Sequence, residues 1–412
     1  MRKAISLLAL ASLMAAGNAF ASGYRIPEQS IDSTAKAGAN VASASHADAA
    51  YFNPANMSWI DDGWLTELDL TYIHLASISY DDARTPFFSG STEKENFLLP
   101  TFFAVSPNYN NFRFGLSLTA PFGLAKRWND PYPATFAKKF SLQVFELNPT
   151  VSYKFNQYVS VAGGARMLMA KAIARNGGVV NPAAGIAVDR DLEGNWEIDW
   201  GYNLALSVKP SEESNLSITY RSNVDLGLTG DATLSTNFPA PFVFKSDGDV
   251  TLPAPAVLSL SGSYTWDRLT VELTWDRTFW SEYKELDIQY ADPLLQPVLA
   301  SVFGPPVPKN WDDTDAFRIG VSYEFNEMFT GMAGFGIDSN PVPSQTLSFE
   351  LPDTDALLFS IGGRYKVSEQ MELGLGFLYD YKDDRTVNNG TVNGKFTDAA
   401  AILVTGGLSY KF

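Results

Sequence analysis

Along most of this chain apolar and polar side chains alternate one by one, the period that sends successive residues to opposite faces of an extended strand. In the last segment Ile402, Val404, Leu408, Tyr410 and Phe412 share one face, and Thr405, Ser409 and Lys411 the other. Phe317, Ile319, Val321, Tyr323 and Phe325 oppose Arg318, Gly320, Ser322 and Glu324 in the same way. The alternation predicts strands near 64–80, 96–107, 111–120, 142–155, 157–172, 194–208, 214–230, 250–265, 268–290, 314–325, 328–338, 354–367, 370–383 and 398–412. Short connections such as Asn156-Gln157 and Ser368-Glu369 alternate with long ones such as 122–141, 173–193, 292–313 and 339–353.

A soluble β-sandwich also alternates, with its apolar face inward. These segments, however, run to about ten residues or more, the length of a tilted membrane-spanning strand, whereas soluble strands usually take five or six. Aromatic residues such as Trp64, Tyr72, Trp200, Tyr323 and Tyr379 lie near the ends of the apolar faces, where interfacial girdles form. The predicted fold is all-β: a transmembrane antiparallel β-barrel of about 14 strands, closed because an open edge in hydrocarbon leaves backbone groups unpaired.

Composition sharpens this. Hydrophobic residues make up 45% of the 412 and aromatics 13%, yet mean hydropathy is -0.08, as two unlike faces would average. The one uninterrupted apolar run lies in residues 1–21. With Arg2 and Lys3 ahead of it and Ala19-Phe20-Ala21 behind, it reads as a secretory signal peptide. Thirty basic residues against 46 acidic ones give a net charge of -16, which argues against nucleic acid as a partner. No cysteine is present, so thiol nucleophiles, disulfides and Cys-ligated metals are excluded. His46 and His74 belong to no nucleophile motif; neither an enzyme nor a bound cofactor or metal is expected.

The chain then divides into the leader (1–21), a segment 22–62 without strand periodicity, and the barrel (63–412). Fourteen strands about 4.8 Å apart and tilted by about 40° enclose a backbone cylinder roughly 28 Å across, too wide for wall side chains to fill. Residues 22–62 are therefore expected to fold inside it as a plug, or hatch. Within them Ala49-Ala50-Tyr51-Phe52-Asn53-Pro54-Ala55-Asn56-Met57 resembles the hatch signature of the FadL family of outer-membrane hydrocarbon transporters. Ala120-Pro121-Phe122-Gly123-Leu124-Ala125, Asn148-Pro149, Asn310-Trp311-Asp312-Asp313-Thr314, Asn340-Pro341-Val342-Pro343 and Leu351-Pro352-Asp353-Thr354-Asp355 agree in order with the same family. The resemblance implies a fourteen-stranded barrel in the bacterial outer membrane and passive uptake of long-chain fatty acids or similar hydrophobic molecules. It also implies exit sideways through the wall where the third strand is kinked. Neutral aromatic or alkane hydrocarbons suit the same architecture; a general diffusion porin fits less well, since it needs no plug.

Candidate residues follow. Phe122, Leu124, Trp128, Tyr132, Phe136 and Phe140, spread among charges after the third strand, form either an exposed capture groove or a loop packed on its neighbours. The resemblance favours a low-affinity capture site there. For a carboxylate, the family position points to Lys171, although its parity groups it with the lipid-facing Met167 and Met169. Arg166 and Arg318 face the lumen by parity and are the alternatives. Asn53, Pro54 and Ala55 form a rigid corner, since Pro54 fixes φ and Asn53 can bond its own backbone; the resemblance makes it part of the gate. The expected partners are the hydrophobic small molecule, outer-membrane lipid and lipopolysaccharide, and the barrel assembly machinery, with the chain acting as a monomer.

Overall fold

The computed structural model describes residues 23–412, so the predicted leader and its cleavage site lie outside the described residues. Within these, fourteen strands close an antiparallel barrel. They are β1 (Leu65–Leu75), β2 (Glu95–Val105), β3 (Phe112–Arg127), β4 (Lys139–Lys154), β5 (Val159–Asn181), β6 (Glu197–Ser211) and β7 (Ser214–Arg221), followed by β8 (Val257–Trp266), β9 (Leu269–Thr278), β10 (Thr314–Glu324), β11 (Phe329–Asp338), β12 (Ala356–Lys366), β13 (Met371–Lys382) and β14 (Ala400–Lys411). Each strand pairs with the next, and β14 closes on β1 from Leu65↔Lys411 to Leu75↔Ala401. In β1 the reason for the alternation is plain. Leu68, Leu70 and Tyr72 are 57, 49 and 40% exposed, as a lipid-facing row must be in isolation, whereas Glu67, Asp69 and Thr71 are buried against the hatch.

Short turns join the strands at the end that holds both Leu65 and Lys411, and long connections join them at the other. Four of the predicted segments need correction there. Segment 173–193 is not a loop: β5 runs on to Asn181 and returns as the strand Ile186–Gly194. That strand pairs with Val224–Thr236, which pairs in turn with Phe242–Ala254, so one side of the wall stands tall above the membrane. The predicted strands 214–230 and 250–265 each break in two. Their lower parts are β7 and β8, which pair with each other, and Pro255, with no N–H to give, interrupts the second. Segment 122–141 is also mostly ordered: β3 continues to Arg127, helix α3 (Pro131–Ala137) follows, and β4 begins at Lys139.

The hatch fills the lumen. Its helix α1 (Ile31–Ala35) is capped by Ser30, whose hydroxyl accepts from the Ser33 N–H, and every residue of it is buried. Helix α2 (Ala49–Phe52) and a 3-10 turn over Pro54–Trp59 complete it. Charge pairs lock the hatch to the wall. Arg364 of β12 reaches both Asp32 and Glu67, and the Glu272 carboxylate of β9 accepts the N–H groups of Val41, Ala42 and Ser43 at 2.7–2.9 Å. The seat under α1 is made by glycines. A Cβ on Gly334 would lie 2.2 Å from the Lys36 carbonyl carbon, and one on Gly362 2.5 Å from Ala35 Cβ. Because the obstacle at Gly334 is backbone, Gly334→Ala is expected to lift the hatch off β11. Protease accessibility of residues 23–62 in intact outer membranes should rise; protection equal to wild type would show that the seat can yield.

Candidate functional site

A cavity of about 350 Å³ lies on the outer side of the hatch, inside the range of about 300–1,000 Å³ usual for small-molecule sites. Most of its wall is apolar, including Ile73, Leu75, Phe97, Leu99, Phe122 and Leu124. Leu98 also lines it and is 63% exposed on the outer face of the barrel, so the cavity reaches the lipid-facing surface.

The break in the wall that allows this comes from strand pairing. β2 and β3 pair only from Phe102↔Leu118 to Val105↔Gly115, at their inner ends. Above that, residues 96–101 and 119–126 form no ladder with each other. The two edges meet again at the top, where Glu93 N–H donates to the Arg127 carbonyl and Arg127 pairs with Glu95 at 2.6 Å. Pro100, which has no N–H to leave unpaired, sits in one edge.

The other edge is turned away by a bulge. Thr119 faces Glu146 and Phe122 faces Val144, so Ala120 and Pro121 together oppose Phe145. The displaced backbone finds partners in the hatch. Ile26 N–H donates to the Pro121 carbonyl at 2.8 Å, Gly123 N–H donates to the Tyr24 carbonyl at 2.9 Å, and Arg25 bridges Phe122. The Gln29 side chain accepts from Ala120 N–H at 2.8 Å and donates to the Ala120 carbonyl at 3.0 Å. At this height β3 has exchanged its neighbour in the wall for the start of the hatch, which is how a gap can exist without orphaned groups on that edge.

Charges gather at the outer end of the cavity. Lys382 pairs with Asp353 at 3.0 Å, and Asp353 also accepts the Gly23 N–H. Arg25 is held by Asp276 at 3.2 Å, and Asp338 by Arg318 at 2.9 Å. Some lining groups are less fully paired. The Lys126 side chain forms no salt bridge within 4.0 Å among the described residues, although Asp353 and Glu95 attract it and Lys382 repels it. The Glu28 side chain, buried in the hatch, has its Oε1 without a hydrogen-bond partner. Burial pushes the Glu28 carboxyl up to about 7 against the pull of Arg318.

Two smaller spaces continue toward the loops. One of about 20 Å³ shares Leu124, Leu142 and Leu351 with the main cavity, and one of about 60 Å³ shares Phe140 and Leu252 with the first. Tyr24 stands at the narrow one, with its ring 4.5 Å from that of Trp280 and 5.6 Å from that of Trp311, and its hydroxyl donating to the Pro253 carbonyl. Lys309 and Glu350 form an ion pair on the same wall. Burial alone would raise the Glu350 carboxyl, and Lys309 holds it below its usual range.

The predicted site residues are thus dispersed. Phe122 and Leu124 lie in β3 and line the main cavity, and Phe140 lines the two smaller spaces. Trp128 is fully buried with its indole N–H on the Phe349 carbonyl, while Tyr132 and Phe136 pack their rings on Phe349, so these three seal the loop layer and present no open groove. Lys171 lies beside Glu193 at 3.7 Å, outside the main cavity. Arg166 is tied to Glu146, and Arg318 to Asp276 and Asp338, both away from that cavity's lining. The Asn53 amide donates to the Val41 carbonyl, Ser207 and Ser217, Ser160 donates to the Ala55 carbonyl, and Pro54 is buried with them. This corner is bolted to β5, β6 and β7, and it is Tyr24–Gln29 that touches the kink of β3.

The sequence profile of the family described as "Outer membrane protein transport protein (OMPP1/FadL/TodX)" matches residues 12–412. The chain belongs to this family. It is 25% identical to Outer membrane protein P1 of Haemophilus influenzae over 99% of both chains. With the long-chain fatty acid transport protein of Escherichia coli O6:H1 it shares 26% identity over 68% of this chain and 69% of the other. Among solved structures, a Pseudomonas aeruginosa FadL homologue superposes with a TM-score of 0.83 at 18% identity, covering 95% of this chain and all of that one. The Pseudomonas putida toluene transporter TodX gives 0.72 at 18% identity, covering 93 and 98%. Family and fold together place the chain in the bacterial outer membrane.

Proposed function

We propose that this protein is a channel for the passive uptake of long-chain fatty acids or similar hydrophobic molecules across the outer membrane. The observation that carries the reading is an apolar cavity sealed from the periplasm by the hatch and open sideways at Leu98. An alkyl chain gains about 0.8 kcal/mol for each methylene it buries, so such a space fills spontaneously from lipid or lipopolysaccharide. Ligand captured among the outer loops passes the space at Phe140 and then the constriction at Tyr24. It rests in the main cavity and leaves through the gap between β2 and β3 into the membrane. The chain works as a monomer, inserted by the barrel assembly machinery, because one barrel encloses the whole route. No catalytic role is assigned: His46 is held between Asp32 and Glu372, and His74 bonds Asn96.

Because most of the lining is uncharged, neutral aromatic or alkane hydrocarbons are the second reading, in line with the toluene transporter above. Lys126 separates the two. A charge-assisted hydrogen bond contributes about 1.5–3 kcal/mol, so Lys126→Met is expected to weaken hexadecanoate binding by tenfold or more and to leave toluene unchanged. Equal affinities of the wild type and Lys126→Met for hexadecanoate would remove the fatty-acid reading and leave the hydrocarbon one.

A further inference from the structure

Four carboxyl groups line the main cavity, Glu28, Asp338, Asp353 and Asp380, against three cations, Arg25, Lys126 and Lys382. Behind the lining Arg318 pairs with Asp338 and with Asp276, and Asp276 with Arg25, so this added cation and anion leave the balance unchanged. One carboxyl group is in excess, and in a poorly hydrated space such a group takes up a proton. The ion pairs show which one it is. Asp353 is held by Lys382 at 3.0 Å and Asp338 by Arg318 at 2.9 Å, and Asp380 lies 3.9 Å from Lys382. Glu28 forms no salt bridge within 4.0 Å among the described residues; it is 7% exposed, and its Oε1 is buried without a hydrogen-bond partner. The charges acting on it are Arg318 of β10, Asp338 of β11 and Asp380 of β13, one cation against two anions.

A fatty acid arrives at neutral pH as a carboxylate, and a bare charge cannot enter hydrocarbon without a large desolvation cost. It therefore needs a proton before it leaves. Glu28 is in the right stretch of chain to give one: Ile26 and Gln29, on either side of it, bond the bulged edge of the gap at Pro121 and Ala120. We propose that Glu28 is the proton donor of the channel, sharing its proton with the ligand carboxylate and releasing the ligand through the wall as the neutral acid. This rests on the fatty-acid reading of the cavity. Two carboxyl groups brought into one dry site hold one proton between them. The Glu28 O–H bond breaks as that of the ligand forms, and the Glu28 carboxylate regains a proton from hydronium in the outer water once the acid has left.

The test counts protons taken up when dodecanoate binds the full-length purified protein, by titration calorimetry in buffers of different ionisation enthalpy. At pH 8, where Glu28 is mostly ionised, the wild type is expected to take up about one proton per dodecanoate bound, and at pH 6, where Glu28 already carries it, almost none. Glu28→Gln should take up almost none at either pH and still bind dodecane with wild-type affinity. In cells relying on this channel it should slow dodecanoate uptake by about tenfold or more and leave dodecane uptake unchanged. The two wild-type values decide the matter even if the variant fails to fold. Dodecanoate binding at pH 8 without proton uptake, or with the same uptake in Glu28→Gln, overturns the proposal and leaves the channel reading standing. Failure of the wild type to bind either ligand overturns both.

Discussion

Deleting Pro121 is expected to abolish uptake while leaving a folded barrel. The bulge in β3 sets Ala120 and Pro121 against the single residue Phe145, so removing one residue restores an ordinary two-residue alternation across β3 and β4. The edge of β3 would then lie flat in the sheet, free to extend its ladder with β2 beyond Phe102↔Leu118. Backbone pairing in hydrocarbon is strongly favoured, because each unmet group there costs several kcal/mol, so the gap should zip shut toward Glu95. Tyr24–Ile26 would lose their partners on β3 in the same event. Uptake of labelled hexadecanoate by cells relying on this channel should fall by at least tenfold, with heat-modifiable electrophoretic mobility, the mark of a folded barrel, retained. Undiminished uptake by the deletion variant would mean that ligand does not leave through the wall.

The second large effect is expected from deleting residues 22–60. Each wall strand other than β2 and β3 is laddered along its membrane-spanning part without help from the hatch, so the barrel should still assemble. What is lost is filling. Asp32, the N–H groups of Val41 to Ser43 and Met57 no longer cover Arg364, Glu272 and Arg113, and these charges then face water in a lumen roughly 28 Å across at the backbone. The variant should conduct ions in planar bilayers at a level typical of open pores, against little steady conductance for the wild type. Uptake of hydrophobic ligand should drop at the same time, because the cavity floor at Ile26 to Glu28 goes with the deletion. A tight, non-conducting barrel would show that loops, and not the hatch, close the lumen.

The barrel was legible because two solvents act on it. Lipid outside and a polar lumen inside force an alternation that no other arrangement of this length sustains, and the order of the strands follows from it. The outer sheet was less legible: in Ile186–Gly194 the charge of Arg190 falls on the same face as Ile186, Val188 and Leu192, so no lipid-facing row marks the strand, and only residues 250–254 of Phe242–Ala254 fall in a predicted strand. The site was hidden by a single inserted residue. Up to Leu118 the even-numbered positions of β3 point to lipid, as in Phe112 and Phe114, which are exposed; past the bulge Phe122 is buried and lines the cavity with Leu124 and Lys126. Parity carried along the strand from either end therefore assigns one half to the wrong side. Arg166 and Arg318 do point inward, but parity says nothing of the carboxylates that already hold them.

The hatch precedes every wall strand in the chain, and its seats are spread around the whole wall: β3 for Tyr24 to Ile26, β9 for Val41 to Ser43, β12 and its glycine-floored neighbours for α1. Several of these seats are synthesised last. A barrel that sealed β14 onto β1 with an empty lumen would have to admit a forty-residue segment through its periplasmic mouth and find every buried charge pair afterwards. Assembly that closes the cylinder around a waiting hatch avoids this, so the final seam between β1 and β14 is also the step that traps the plug.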